Sequence, residues 1–351
     1  MTLIQRLVPV TGLAVFGLLL PASILQAQDL TETETALYEA AQSENGVTWY
    51  TSQLTTEQAE QVCALFSERY EGVGCFPVRA NGSSTLQRVV QEIQAGAVQG
   101  DVVSTNGVSD FEEFKALGGL AQYMPENLSG MEPSLAALND SDGYYFVSGT
   151  SPFGFVYNTE IVAPEDVPSS WNDLTDPRWR DQIAIAHPGF SGSAGQWAIA
   201  MDRLYGEAFF QGLAANDPQI GRSIADGYTL VTTGERSLTV TSLALGRDAM
   251  RDGKPVDLVV PEEGMFLPPS AAAVLADAPN PNSARLFAEF LASTEFSQWL
   301  ASMGRNPLRT DVATPEGVPD LTEVNVLTVS VAESLENQQR VVEMFRDIFG
   351  I

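Results

Sequence analysis

Three times the sequence runs an apolar strand pattern into a short loop of glycine and hydroxyl residues, and then into a helical pattern. VTWYT (47–51) leads to Ser52 and Gln53, VRA (78–80) to Asn81, Gly82, Ser83 and Ser84, and IAIA (183–186) to HPGFSGSAGQW (187–197). Alternating periods of two and 3.6 residues predict an α/β chain with parallel strands. Further strands are expected over 101–104, 144–147, 153–157 and 271–275. Further helices are expected over 55–70, 85–95, 111–117, 281–293 and 328–349. At 351 residues the chain has room for two domains.

Such loops place helix N-termini at the carboxyl edge of a sheet, where open α/β folds bind ligands. Each N-terminus offers unpaired N–H groups and about half a positive charge, which suits an anion. Serine and glycine are also ordinary N-caps, so one such loop is weak evidence and three in corresponding places are stronger. Arg79, at the end of its strand, adds a guanidinium that either reaches an anion or pairs with a surface carboxylate.

Charge points the other way. Eighteen basic residues face 45 acidic ones, for a formal net charge of −27. That balance repels nucleic acid and anionic membranes and reads as a solvated acidic surface. A single histidine, His187, leaves no multi-histidine metal site. Residues 1–27 begin with Arg6, continue through an apolar stretch and end in Leu25-Gln26-Ala27, the pattern of a cleaved signal peptide. Export to an oxidising compartment fits a disulfide between Cys63 and Cys75. Closing so short a loop contributes roughly 3 kcal/mol in the chain-entropy view.

Catalytic motifs are missing. Around Ser191 the pattern Gly-x-Ser-x-Gly fails at its last glycine, and His187 lies only four residues away, on the same turn. The sequence has no Walker motif, no GxGxxG and no HExxH. The expectation is a protein that binds rather than catalyses, without cofactor or metal.

Beyond these loops, the order of motifs resembles the extracellular solute-binding proteins of bacterial ABC importers, in the branch that binds ferric ion and phosphorylated compounds. The residues carrying this are VTWYTSQ (47–53), VRANGSSTLQRVVQE (78–92), GDVVST (100–105), GFVYNTEIV (154–162), PSSWNDLTDPRWRDQIAIAHPGFSGSAGQ (168–196), GKPVDLVVPEEGMFLPPSAAAVLADAPNPNSARLFAEFLAS (253–293) and GRNPLR (304–309). The resemblance implies a type 2 periplasmic-binding fold of two α/β lobes, joined by hinge strands around a central ligand cleft. Lobe 1 is expected over 28–152 and 265–305, lobe 2 over 153–264, with helices in 306–351 packing on lobe 2. It implies a periplasmic, monomeric receptor that delivers its solute to a membrane permease and ATPase. Ferric members carry a tyrosine pair where this chain has Thr239-Val240-Thr241-Ser242, which argues against iron.

The expected ligand is a small organic anion: a phosphonate, phosphate ester or sugar phosphate, or a carboxylate. The expected contacts are Thr51, Ser52, Arg79, Asn81, Ser83 and Ser84 from the early loops. Ser104, Ser151, His187, Ser191, Gly192, Ser193 and Ala194 follow, then Thr241, Ser242 and Glu263. Glu263 or Asp101 would meet an amine if the ligand has one. The alternatives are a ferric-ion or polyamine/thiamine receptor of the same fold, and a receptor that signals rather than transports.

Overall fold

The computed structural model describes residues 30–321 and 323–351. The signal-peptide expectation over 1–27 lies outside the described residues. In chain order the first part builds α1 (Glu32–Ala41), β1 (Val47–Thr51), α2 (Thr56–Arg69), β2 (Cys75–Arg79), α3 (Gly82–Ala95), β3 (Val102–Thr105), α4 (Val108–Ala116), α5 (Pro133–Ala136) and β4 (Phe146–Thr150). The middle part builds β5 (Phe153–Asn158), β6 (Ile183–Ala186), α6 (Gly192–Tyr205), α7 (Glu207–Ala215), β7 (Gln219–Gly221), α8 (Ile224–Thr232), β8 (Leu238–Ser242), α9 (Leu243–Arg251), β9 (Val256–Val259) and β10 (Met265–Phe266). The last part builds β11 (Pro269–Val274), α10 (Pro281–Leu291), α11 (Thr294–Ser302), β12 (Val326–Leu327) and α12 (Val331–Phe349).

Two sheets result. The first has strand order β2-β1-β3-β11-β4, and the second β12-β10-β5-β8-β6-β7 with β9 paired to β5. The expected parallel pairing holds for β1 with β2 and β3, and for β6 with β7 and β8. It fails at β11, β4 and β5, which run antiparallel to their neighbours. These are the strands on which the chain passes between sheets, through Ser151–Pro152 outward and Leu267–Pro268 on return. A chain that crosses directly from one sheet to the other has no crossover helix to reverse it, so these strands cannot all enter parallel.

Each sheet is covered on both faces. Trp49, Phe66, Phe287 and Phe290 anchor one side of the first lobe, and Tyr50, Phe111 and Phe114 the other. Trp171, Trp197, Phe209 and Phe345 fill the main core of the second. Cys63 on α2 and Cys75 at the start of β2 are joined as a disulfide, with 5.1 Å between Cα atoms.

The lobe boundaries differ from the expectation in two places. Met265 and Phe266 pair with Val326–Leu327 and Phe153, so they belong to the second sheet and the first resumes at Pro269. The segment after 305 begins on the first lobe: Leu308 joins its core, and Arg309 Nη1 donates to the Asn127 and Ala292 carbonyls. From Asn325 onward the chain reaches the second lobe, where Val329 joins the core, and α12 packs on α6 and α7 while also touching α4 of the first. Among the described residues no helix is long and apolar enough to cross a membrane.

Candidate functional site

Between the lobes lies a cleft of about 760 Å³. Six helices begin at it, and the N-cap residue of each lines it: Thr55 for α2, Asn81 for α3, Gly107 for α4, Ser191 for α6, Ser223 for α8 and Ser242 for α9. The strand–loop–helix alternation causes this convergence, because every helix that follows a strand of these sheets starts at the strand's carboxyl end. With about half an elementary charge per N-terminus, these helix starts bring local positive charge to the cleft although the molecule is strongly negative.

Three arginines add full charges. Arg79, Arg222 and Arg305 line the cleft, and none of them is in an ion pair among the described residues. Arg79 Nε donates to the Leu54 carbonyl at 3.3 Å, Arg222 lies over the Phe190 ring, and Arg305 Nη2 donates to Gln58 Oε1 at 3.2 Å. Carboxylates are confined to one flank, where Asp110, Glu112 and Glu113 of α4 reach the cleft. Burial pushes the Asp110 carboxyl up to about 7, and neighbouring Glu113 adds to the shift.

The lobes meet directly beside this space. Gln196 Nε2 of α6 donates to the Asn106 carbonyl at 3.0 Å, and Ser151 in the outgoing hinge donates to Ser242 at 2.8 Å. Gly192 faces Gly107 so closely that a Cβ on Gly192 would sit 3.0 Å from the Gly107 Cα. Ser52 Oγ and Gln196 Oε1 are buried in the cleft wall without a hydrogen-bond partner among the described residues.

Of the residues expected from the sequence, Ser52, Arg79, Asn81 and Ser83 line the cleft from the first lobe. Ser151 lines it at the hinge, and Ser191, Gly192, Ser193 and Ser242 from the second lobe. Ser191 and Ser193 lie 3.2 Å apart through their hydroxyls. The others are placed elsewhere. Thr51 and Ser104 face each other in adjacent strands, where the Ser104 hydroxyl donates to Thr51 and accepts from Trp49 Nε1. Ser84 is exposed and contributes its backbone N–H to the Asn81 cap. Ala194 is buried and gives its N–H to Ser191, while the Thr241 hydroxyl donates to the Ile224 carbonyl. His187 is buried, with Nδ1 accepting from the Gly189 N–H and its ring between Phe190 and Phe345. Burial and Arg346 lower its pKa, so the ring is neutral.

Glu263 and Asp101 are also accounted for within the fold. Glu263 accepts from the Ser170 and Tyr205 hydroxyls and from the Trp171 N–H, fastening the 170–175 turn to the β9–β10 connection. Burial works to raise its pKa, but these hydrogen bonds outweigh burial and hold it below the usual value. A depressed folded pKa stabilises above the unfolded pKa and stops stabilising as pH falls through the folded one. Glu263→Gln is therefore expected to lower the melting temperature at pH 7, with the gap to wild type closing as pH falls from about 5 toward 3. A gap that stays constant across this range, followed by circular dichroism, would assign no ionic role to Glu263.

Asn106, Gly107, Arg222, Ser223 and Arg305 line the cleft without having been singled out from the sequence. One signal was present for Ser223: it sits three residues ahead of Asp226 at a helix start, and the two form a capping box.

A family model described as bacterial extracellular solute-binding protein matches residues 101–333. An uncharacterised protein of Haemophilus influenzae is 27% identical over 244 residues, covering 67% of this chain and 70% of that one. Among solved structures, the periplasmic binding protein AfuA from Actinobacillus pleuropneumoniae, with fructose-6-phosphate bound, superposes with a TM-score of 0.78 and 24% identity over 88% of this chain and 99% of its own. Iron-bound HitA from Pseudomonas aeruginosa superposes with a TM-score of 0.75 and 20% identity, over 86% and 99%. At these identities the solved structures establish the two-lobed fold.

Proposed function

Because the chain belongs to the bacterial extracellular solute-binding proteins, we propose that it captures a small organic anion in the interlobe cleft and presents it to the permease and ATPase of an ABC importer. The solute is a phosphonate, phosphate ester or sugar phosphate. The receptor works in the periplasm, as a monomer, after export on the 1–27 signal.

One observation carries this reading: six helix N-termini and three arginines with no ion pair among the described residues converge on one interlobe cleft in a molecule of charge −27. In a closed cleft such donors act through a lower dielectric than water, so each is worth more there than on the surface. The same arginines and helix N-termini oppose ferric ion and polyamines. The carboxylates of α4 favour a solute that also carries hydroxyl or amine donors over a bare anion, because such donors need acceptors once desolvated. Among the similar structures, this favours the chemistry of a sugar phosphate over that of iron.

A thermal-shift panel on the mature protein tests the reading. Specific binding stabilises by RT ln(1 + [L]/Kd), about 2.7 kcal/mol at a hundredfold excess over Kd. Sugar phosphates or phosphonates are expected to raise the melting temperature. Stabilisation by spermidine or ferric citrate alone would overturn the proposal.

A further inference from the structure

Beyond the helix N-termini, the two lobes also meet at a seam built largely from arginine. Arg247 of α9, in the second lobe, donates from Nε to the Gly304 carbonyl of the first lobe at 3.1 Å. Arg251, one turn on, donates from Nη2 to the Met303 carbonyl at 3.3 Å. The next residue after Gly304 is Arg305, which lines the cleft. Three guanidiniums therefore gather around residues 303–305, and the carboxylate among them, Asp248, is already bonded to Arg251.

The donors here are not used up. Arg305 Nε and Arg247 Nη2 are both buried with no hydrogen-bond partner among the described residues. The single side-chain bond that Arg305 makes is to the neutral amide oxygen of Gln58. Burial depresses both pKa values, and for Arg247, pushed down to about 10, the proximity of Arg305 and Arg251 adds to the effect. Arginine keeps its proton at neutral pH even when buried. Asp248 lies near both but is shared with Arg251, and a buried guanidinium with a free N–H and only a shared counter-charge is costly, a cost that a bound oxyanion lowers. Its planar fork also matches two oxygens of a tetrahedral group, which a single backbone N–H does not.

We propose that Arg305 is the residue that contacts the phosphate or phosphonate group of the solute, at the seam where the lobes close. This rests on the anion-receptor reading and goes further, because it separates the charge-bearing contact from the Ser191–Ser193 loop. Arg305 belongs to the first lobe, while the carbonyl that leads into it is held by Arg247 from the second. Closure and correct presentation of Arg305 therefore occur together, which ties anion capture to the closed state.

Calorimetric titration with inorganic phosphate, fructose 6-phosphate and fructose tests this on wild type, Arg305→Gln and Gln58→Glu. The second variant supplies a carboxylate to Arg305. It also keeps the capping box at the start of α2, where Gln58 Oε1 accepts from the Thr55 N–H. Glutamate suits that position at least as well as glutamine, so the empty variant should melt no lower than wild type. Both variants are expected to bind the phosphate probes about tenfold more weakly or worse. Binding of inorganic phosphate would identify the free ion as sufficient, and binding of fructose 6-phosphate alone would require the ester; both support Arg305 if the variants lose it. Variants that bind within twofold of a wild type that does bind would overturn the role of Arg305 and leave the receptor reading intact. A wild type that binds neither phosphate probe would overturn both.

Discussion

Replacing Gly192 with leucine is expected to weaken ligand binding about a hundredfold or more while leaving the melting temperature of the empty protein nearly unchanged, a loss of about 2.8 kcal/mol in binding free energy. Gly192 is the first residue of α6 and has ordinary helical geometry, so a side chain there does not strain its own backbone. The conflict is across the cleft. A Cβ would lie 3.0 Å from the Gly107 Cα and 3.1 Å from its nitrogen, and these are backbone atoms that cannot rotate away. A leucine side chain would hold the lobes apart and stretch the Gln196–Asn106 bond, without entering either core. Titration of wild type and variant with the same phosphate ester checks this. Affinities within threefold would mean that the closed contact between Gly192 and Gly107 is not part of the bound state.

Asp101→Ala is expected to do the reverse, lowering stability by about 3 kcal/mol with little effect on affinity of the protein that remains folded. Asp101 is fully buried and accepts from the Thr48 N–H at 2.7 Å, the Asn280 N–H at 2.7 Å and Asn280 Nδ2 at 3.1 Å. It joins the start of β3 to β1 and to the entry of α10, so its loss leaves several buried donors unpaired where the returning chain packs on the first sheet. Urea unfolding of wild type and variant measures the loss. A variant with wild-type stability and weakened binding would restore Asp101 as a ligand contact.

How far the sequence was legible depended on whether a feature was local. The loops at Asn81–Ser83 and Ser191–Ser193 were readable because a strand, its loop and the next helix are contiguous, and that order alone puts the helix start at the sheet edge. Arg305 was not readable in this way. It reaches the cleft only because the chain recrosses at Leu267–Pro268, adds β11 to the first sheet and then turns through α10 and α11. The resemblance placed 265–305 in the first lobe, but nothing near GRNPLR marks Arg305 itself as facing the cleft. His187 and Glu263 failed for the opposite reason. Both are polar residues in loops, and their partners, the Gly189 N–H and the Tyr205 hydroxyl, are visible only in three dimensions. Thr51 and Ser104 illustrate a third limit: a hydroxyl at a strand end points either into the cleft or to its neighbour, and here the two satisfy each other.

The acidic composition also looks different in place. A net charge of −27 and a cleft that attracts anions are compatible because the helix N-termini and Arg79, Arg222 and Arg305 act at hydrogen-bond range. The surface charges act through water and salt, and are screened over about 8 Å at physiological ionic strength.

Recognition of the solute's oxyanion by the cleft is isolated by one comparison. The phosphate ester giving the largest thermal shift is titrated calorimetrically into the protein, and its dephosphorylated counterpart is titrated under the same conditions. The ester is expected to bind at least about a hundredfold more tightly. Equal affinity for the two would contradict it.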